Sequence, residues 1–308
     1  MKISAVVVTY NRCTLLTRCL DALARQSLAI DQLVLVDNAS TDSTATAICE
    51  RVDDIASGWL RYSRLPDNLG GAGGFEHGMR EALRGGADWV WLMDDDAEPS
   101  PDALECLFAD SPLPGHVYAS VPQRNGVLAW PVTWNTSEGK FGSVAKRIDE
   151  LPPRCVVQSH PFLGFLIHRE LIERIGVPDG QLYISADDIE YSLRARAAGA
   201  TIVLLRASSI SHPVASSRSY RVLGRSIPVL SLPPWRRYYD TRNRLLVARR
   251  HHGRKLWTQA LPGTLARMLL VALHEPRKKA QFKAAAAGLW DGLRGISGKR
   301  HTLWDLES

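Results

Sequence analysis

In the first third of the chain, short apolar runs alternate with segments whose apolar positions repeat at helical spacing. Ile3–Thr9 reads Ile-Ser-Ala-Val-Val-Val-Thr, the near-continuous run expected of a strand buried on both faces. Leu15, Leu16, Cys19, Leu20 and Leu23 recur at three- and four-residue steps and predict a helix over Leu15–Ala24. Leu33–Val36 predicts a second strand, closed by Asp37-Asn-Ala-Ser-Thr-Asp42. That cluster is turn chemistry ending in N-cap residues for a helix around Ser43–Val52. Trp59–Leu65 predicts a third strand, Phe75–Leu83 a helix after a glycine-rich turn, and Asp88–Met93 a fourth strand. The β-α-β-α rhythm predicts an α/β fold, a mostly parallel sheet flanked by helices. Such sheets take ligands beyond the carboxyl ends of their strands. Thr9–Arg12, Asp37–Asp42 and Asp94–Asp96 all fall at those ends.

Further on the pattern loosens. Residues 111–160 are rich in Pro, Gly and Trp, with strand signals at Val117–Val121 and Val127–Trp134, and read as a mixed extension that shapes a pocket. A helix near Arg169–Ile175, a second over Ser192–Ala198 stopped by Gly199, and a strand at Thr201–Leu205 follow. From Trp235 the pattern is helical throughout: Trp235–His252, Thr258–His274 and Lys279–Leu293. Two domains are expected, a catalytic one over residues 1–215 and a helical C-terminal one over 216–308.

Composition sharpens this division. The net charge of +6 conceals 16 Lys/Arg against 3 Asp/Glu in residues 236–300, and 22 against 29 in the remainder. A basic helical module on a mildly acidic body suits an anionic partner such as a lipid surface or a diphosphate. No nucleic-acid motif accompanies it, which argues against a nucleic-acid partner. Leu265, Leu269, Val271 and Leu273 belong to an apolar stretch read as too short to span a bilayer, so the expectation is a peripheral membrane contact. Five cysteines (Cys13, Cys19, Cys49, Cys106 and Cys155) form no C-x-x-C pair and read as reduced thiols of a cytoplasmic protein. The apolar run after Met1-Lys2 has the length of a strand and not of a signal peptide.

The chemistry centres on Asp94-Asp95-Asp96. Three adjacent carboxylates repel one another unless a positive group sits among them, and a divalent cation on a nucleotide diphosphate meets that need. Period-two alternation along the strand places Asp94 and Asp96 on one side, and His212-Pro213 after a later strand offers a neutral imidazole to the same ion. Asp37 is placed to accept the ring N–H of a nucleobase. Gly70, Gly71, Gly73 and Gly74 allow close backbone approach to phosphates. An attacking hydroxyl needs a base, and Asp187, Asp188 and Glu190 are three candidates at a helix start.

Together, Val7-Val-Thr-Tyr-Asn-Arg12, Val36-Asp-Asn-Ala-Ser-Thr-Asp42, Asn68-x-Gly-Gly, Trp91-Leu-Met-Asp-Asp-Asp96 and Asp187-Asp-x-Glu-Tyr191 resemble the family 2 glycosyltransferases over roughly residues 1–215. That resemblance implies a GT-A, Rossmann-like fold, a metal-dependent nucleotide-sugar site and inversion at the anomeric carbon. It assigns Thr9, Asn11, Arg12 and Asp37 to the nucleobase side, Asn68 and Gly71 to the diphosphate or sugar, and Asp94 and Asp95 to the ribose and donor sugar. It gives Asp96 and His212, with Asp94 assisting, to Mg or Mn. Asp188 becomes the base, with Asp187 the runner-up.

Gly86-Ala-Asp-Trp-Val-Trp-Leu92, Gly176-Val-Pro-Asp179 and Tyr238-Tyr-Asp-Thr-Arg-Asn-Arg244 bring the chain nearer to the galactofuranosyltransferase and rhamnosyltransferase branch of bacterial cell-wall glycan synthesis. This implies a UDP- or dTDP-linked donor, a polyprenyl-diphosphate-linked glycan acceptor and a place on the cytoplasmic face of the cell membrane. Galactofuranose is the favoured sugar and dTDP-rhamnose the alternative donor. Arg242 and Asn243 are candidates to touch the acceptor's diphosphate. The Gln-x-x-Arg-Trp signature of processive polymerases is missing, so one or a few transfers per acceptor are expected. Two rival readings are a nucleotidyltransferase, disfavoured by Thr-Tyr-Asn-Arg after the first strand, and a non-catalytic membrane- or nucleic-acid-binding protein.

Overall fold

A computed structural model describes residues 1–109, 111–135, 141–214, 217–222 and 225–306. Contacts divide the chain into two units, Met1–Asp179 with Tyr191–Val214, and Gly180–Glu190 with Ala215–Ser308. The second unit therefore takes in a short segment that the sequence reading placed in the catalytic domain.

The first unit opens with β1 (Ile3–Thr9), α1 (Cys13–Ala24), β2 (Gln32–Asp37), the short helices α2 (Thr44–Cys49) and α3 (Val52–Ala56), β3 (Leu60–Arg64), α4 (Gly70–Arg84) and β4 (Trp89–Asp94). β5 (Glu98–Pro99), α5 (Ala103–Ala109), β6 (Val117–Arg124), β7 (Val127–Asn135), β8 (Phe141–Arg147), β9 (Arg154–Val157), β10 (Phe165–His168) and α6 (Arg169–Ile175) follow. α7 (Asp187–Ala197) and β11 (Ile202–Ser211) come next, the unit boundary falling within α7.

The sheet has the order β3-β2-β1-β4-β10-β6-β11-β9-β7-β8, with β5 on β11. β3-β2-β1-β4 is the parallel block the rhythm predicts and β11 also pairs parallel with β6, but β10 runs antiparallel to both β4 and β6, and β9 antiparallel to β11. The sheet is thus mixed, a correction to the mostly parallel expectation. Residues 111–160 are corrected too, because β6 lies inside the sheet between β10 and β11. Alternation splits the core between the two faces. Val6, Val8, Val34, Val36, Val90 and Leu92 join one cluster, while Ala5, Val7, Leu33, Leu35, Trp91 and Met93 join the other with Leu16 and Leu20 of α1.

The glycine-rich segment is the first turns of α4, not a free turn. A Cβ at Gly74 would lie 2.4 Å from Val8 Cγ1, and one at Gly78 2.4 Å from Val6 Cγ1. These glycines let the helix sit against β1 more closely than any side chain permits. Gly71 differs, with open space where a Cβ would stand. Gly78→Ala is expected to destabilise the protein by roughly 1–2 kcal/mol, overpacking outweighing the better helix propensity of Ala. Urea midpoints would show it; a variant as stable as the parent would refute the close-packing account.

In the second unit, β12 (Ser217–Val222) and β13 (Arg225–Leu230) form an antiparallel hairpin that the sequence reading missed. α8 (Pro234–His251), α9 (Leu261–His274) and α10 (Lys278–Arg294) follow, and a π-helical stretch, Leu256–Ala260, leads into α9. α10 crosses α8 at Gly288 and Gly292, where a Cβ would come within 2.4 Å of Tyr238 O and 3.0 Å of Arg242 O. Because the π-helical stretch continues into α9, Leu256–His274 is one helix of 19 residues with mean hydropathy 1.2. By length and composition it can cross a membrane, which corrects the expectation that every apolar stretch is too short. Trp257, Leu265, Leu269 and Leu273 on it are exposed.

Candidate active site

Strand register builds the rim. Thr9 pairs with Asp37 across β1 and β2, and Val8 pairs with Asp94 across β1 and β4, so three polar strand ends finish level. β4 stops at Asp94, and Asp95 and Asp96 lie in a turn. Strand alternation therefore does not govern the triplet, contrary to expectation. Asp95 is buried: its Oδ2 accepts Thr9 Oγ1 at 2.8 Å and Tyr10 N at 3.4 Å, and its Oδ1 accepts Arg12 Nη1 at 3.1 Å. The same Arg12 nitrogen donates to Asp96 Oδ2 at 2.8 Å. Arg12 thus supplies positive charge to Asp95 and Asp96 in this state, in contrast to the nucleobase side that the family resemblance implies for it.

The remaining oxygen, Asp96 Oδ1, is buried and accepts no hydrogen bond among the described residues. It faces His212 Nε2 at 3.4 Å. His212 Nδ1 lies 2.7 Å from the Pro213 carbonyl, which can only accept, so Nδ1 carries a proton and Nε2 is the ring atom turned toward Asp96. Without a proton on Nε2 the two facing atoms are both electron-rich and fit a cation, and a backbone carbonyl fixing the imidazole is how metal-binding histidines are held. The Asp96–His212 pair therefore suits Mg or Mn. Asp94 does not complete a group of three: no such cluster of His, Cys, Asp and Glu occurs among the described residues.

Electrostatics separate Asp95 from Asp96. Burial raises the Asp95 carboxyl above its ordinary range, although Arg12 and Thr9 pull it down. Burial pushes Asp96 the same way, yet the hydrogen bond and charge that His212 supplies when protonated, together with the charge of Arg12, outweigh it and hold this carboxyl low and ionised.

The neighbouring loops are stitched together. Asn11, in the left-handed region at φ 53°, accepts Thr41 N at 2.7 Å through Oδ1, while its own N–H donates to Ser40 Oγ at 3.0 Å. Asp37 is fully buried and takes Ser40 N and Tyr62 Oη, both at 2.7 Å. The expected base-facing carboxylate is therefore engaged internally, with Tyr62 covering it. Asn68 Oδ1 accepts Gly70 N at 2.8 Å, an Asx-type turn that leads into α4. That helix N-terminus, with Gly71 open beside it, is a ready anion site.

Asp187 and Asp188 occupy the first turn of α7, Asp187 buried and Asp188 half-buried. Burial raises both carboxyls, and the charge of Asp188 raises Asp187 further. Glu190 pairs with His251 Nε2 at 3.1 Å, which separates it from the other two base candidates. Arg242 and Asn243 are fully buried, so the expected diphosphate contact is corrected. Sequence reasoning missed Tyr62, the partner of Asp37, and half-buried Trp130, whose ring centroid lies 6.0 Å from that of His212. Neither carries a local signal, since each meets its partner only through the sheet.

The profile described as Glycosyl transferase family 2 matches residues 4–173. A galactofuranosyltransferase GlfT1 from Mycolicibacterium smegmatis is 33% identical over 236 residues, 72% of this chain and 74% of that one. A dTDP-rhamnosyl transferase RfbF from Shigella flexneri is 25% identical over 96% of this chain and 97% of that protein. Among solved structures, GalNAc-T7 with UDP, GalNAc and Mn2+ superposes with a TM-score of 0.61 at 14% identity, covering 96% of this chain. This chain spans just over half, 56%, of the length of that structure, and the likeness concerns the fold alone.

Proposed function

The chain belongs to glycosyl transferase family 2 and is a glycosyltransferase, and from that premise we propose that it moves galactofuranose from a UDP-linked donor, with inversion, onto a polyprenyl-diphosphate-linked glycan of the cell wall. The observation that carries the donor side is the orphaned Asp96 Oδ1 opposite His212 Nε2, at the strand ends where a diphosphate would lie. Asp96 and His212 would hold Mg or Mn, which when bound neutralises charge growing on the departing nucleoside diphosphate. Thr9, Asn11, Arg12, Asp37 and Asp95 organise the nucleoside side, and Asn68 and Gly71 the phosphates. Asp188 takes the proton from the acceptor hydroxyl as that oxygen attacks the anomeric carbon.

A second donor, dTDP-rhamnose, is supported by the full-length likeness to the rhamnosyl transferase. Both nucleotides carry a pyrimidine N3–H, so turnover must separate them. Incubation with UDP-galactofuranose or dTDP-rhamnose, manganese and a lipid-linked acceptor is expected to release UDP at least tenfold faster than dTDP. The reverse ratio would replace the donor; release from neither would remove the proposal. The exposed Trp257, Leu265, Leu269 and Leu273, beside exposed Arg254, Lys255, Lys278 and Lys279, support residence on the cytoplasmic membrane surface. Co-sedimentation with anionic but not neutral vesicles is the expected behaviour, and equal recovery from both would contradict it.

A further inference from the structure

The turn that precedes Asp187 is held in an unfavourable shape. Tyr183, Ser185 and Ala186 all have positive φ, at 65°, 72° and 62°, and none is glycine. Side chains resist that region, so three such residues within four positions need outside support. Within the turn, Tyr183 N donates to Gly180 O at 3.0 Å and Ile184 N to Leu182 O at 2.8 Å.

Support comes from adjacent residues of α8. Asn243 Nδ2 donates to the carbonyls of Leu182, Ile184 and Ser185 at 2.9, 2.9 and 2.8 Å. Arg242 Nε donates to Asn243 Oδ1 at 2.8 Å, which settles which way the amide faces. Arg242 Nη2 reaches Leu182 O at 3.0 Å and Nη1 reaches Gly298 O, while Gly298 N donates to Gln181 O at 2.6 Å. The guanidinium lies 5.3 and 4.7 Å from the ring centres of Tyr238 and Tyr239, and Tyr183 of the turn packs on Tyr239 at 4.8 Å. Burying a whole charge to hold carbonyls is a poor way to stabilise a core, where an apolar side chain serves better. It is a good way to fix one backbone shape.

That shape decides where α7 begins. The Ala186 carbonyl accepts Glu190 N at 2.9 Å and closes the first helical turn, which carries Asp187 and Asp188. At the far end of α8, His251 holds Glu190. We propose that Arg242 and Asn243 are positioning residues for the reaction: by clamping the left-handed turn Tyr183–Ala186 they fix the start of α7 and the direction of Asp188. The inference rests on the reading of Asp188 as the base.

In the full-length enzyme, Asn243→Ala is expected to speed amide exchange across residues 181–188 at least tenfold, since it removes the two N–H groups that three turn carbonyls share. Its kcat is expected to fall about 100-fold, the scale of a small misplacement of a reacting group, with donor KM and manganese-dependent UDP affinity within twofold of the parent. Arg242→Lys keeps the charge, loses the fork and is expected to give the same pattern about tenfold more mildly; it carries the test if Asn243→Ala does not fold. Unchanged exchange would overturn the clamp. Faster exchange with kcat within threefold of the parent, or kcat and UDP affinity falling together, would overturn the positioning role. Asp188→Asn measured alongside separates the two ideas: normal turnover there removes the base assignment, while the exchange data still decide the clamp.

Discussion

Asp188→Asn is expected to lower kcat about a thousandfold, within the span that a positioned general base supplies, while leaving UDP affinity within twofold of the parent. The amide is nearly isosteric, so folding and donor binding survive and only proton acceptance is lost. The loss corresponds to about 4 kcal/mol of barrier. Asp188 is pushed up to about 6 and Asp187 to about 7, chiefly by burial, so the pair titrates close to neutrality as a unit. A base must be ionised, and kcat is expected to fall as the pH drops through about 6. Stability should run the other way. A carboxyl raised on folding binds its proton more tightly in the folded state, so this pair's stabilisation is complete below about pH 4, the unfolded value, and disappears as pH rises through its folded values. Activity and the pair's share of thermal stability are thus expected to move in opposite directions between pH 5 and 8. Turnover of Asp188→Asn within threefold of the parent would sink the assignment.

Asp96→Ala should come close in severity. It removes the carboxylate that faces His212 and leaves Arg12 with Asp95 alone. The expected result is a fall in kcat/KM of about 300- to 1000-fold, the size of a lost charge-stabilising contact to the leaving group. His212→Ala is expected to act in the same direction with a smaller loss, because a neutral ligand contributes less charge. The two changes concern one constellation, so the double variant should lose little more than Asp96→Ala alone. Full additivity would mean that the two side chains serve separate tasks.

Where the sequence was legible, a local signal and the tertiary structure agreed. β1 spans Ile3–Thr9 as expected because an apolar strand buried on both faces has no other reading. The glycines before Phe75 misled for a physical reason. Glycine signals a turn, but here it is selected by the distance between α4 and β1, which only the folded state sets. The antiparallel insertion of β10 between β4 and β6 was equally hidden, because strand direction depends on pairing and not on composition. At the site, the acidic triplet, His212 and the acidic helix start were readable as residue types. What they bond was not. Arg12 bridging Asp95 and Asp96, Tyr62 covering Asp37, and Asn243 gripping a turn about sixty positions away are contacts between segments remote in sequence.

The edge formed by Asp96 and His212 is expected to hold a dication together with the donor diphosphate. Calorimetric titration of UDP into metal-free protein, with and without manganese, tests it most directly. Manganese is expected to tighten UDP at least tenfold in the parent and to do nothing in the variant lacking both Asp96 and His212 side chains. Equal UDP affinity with and without manganese in the parent, or an undiminished manganese effect in that variant, would contradict it.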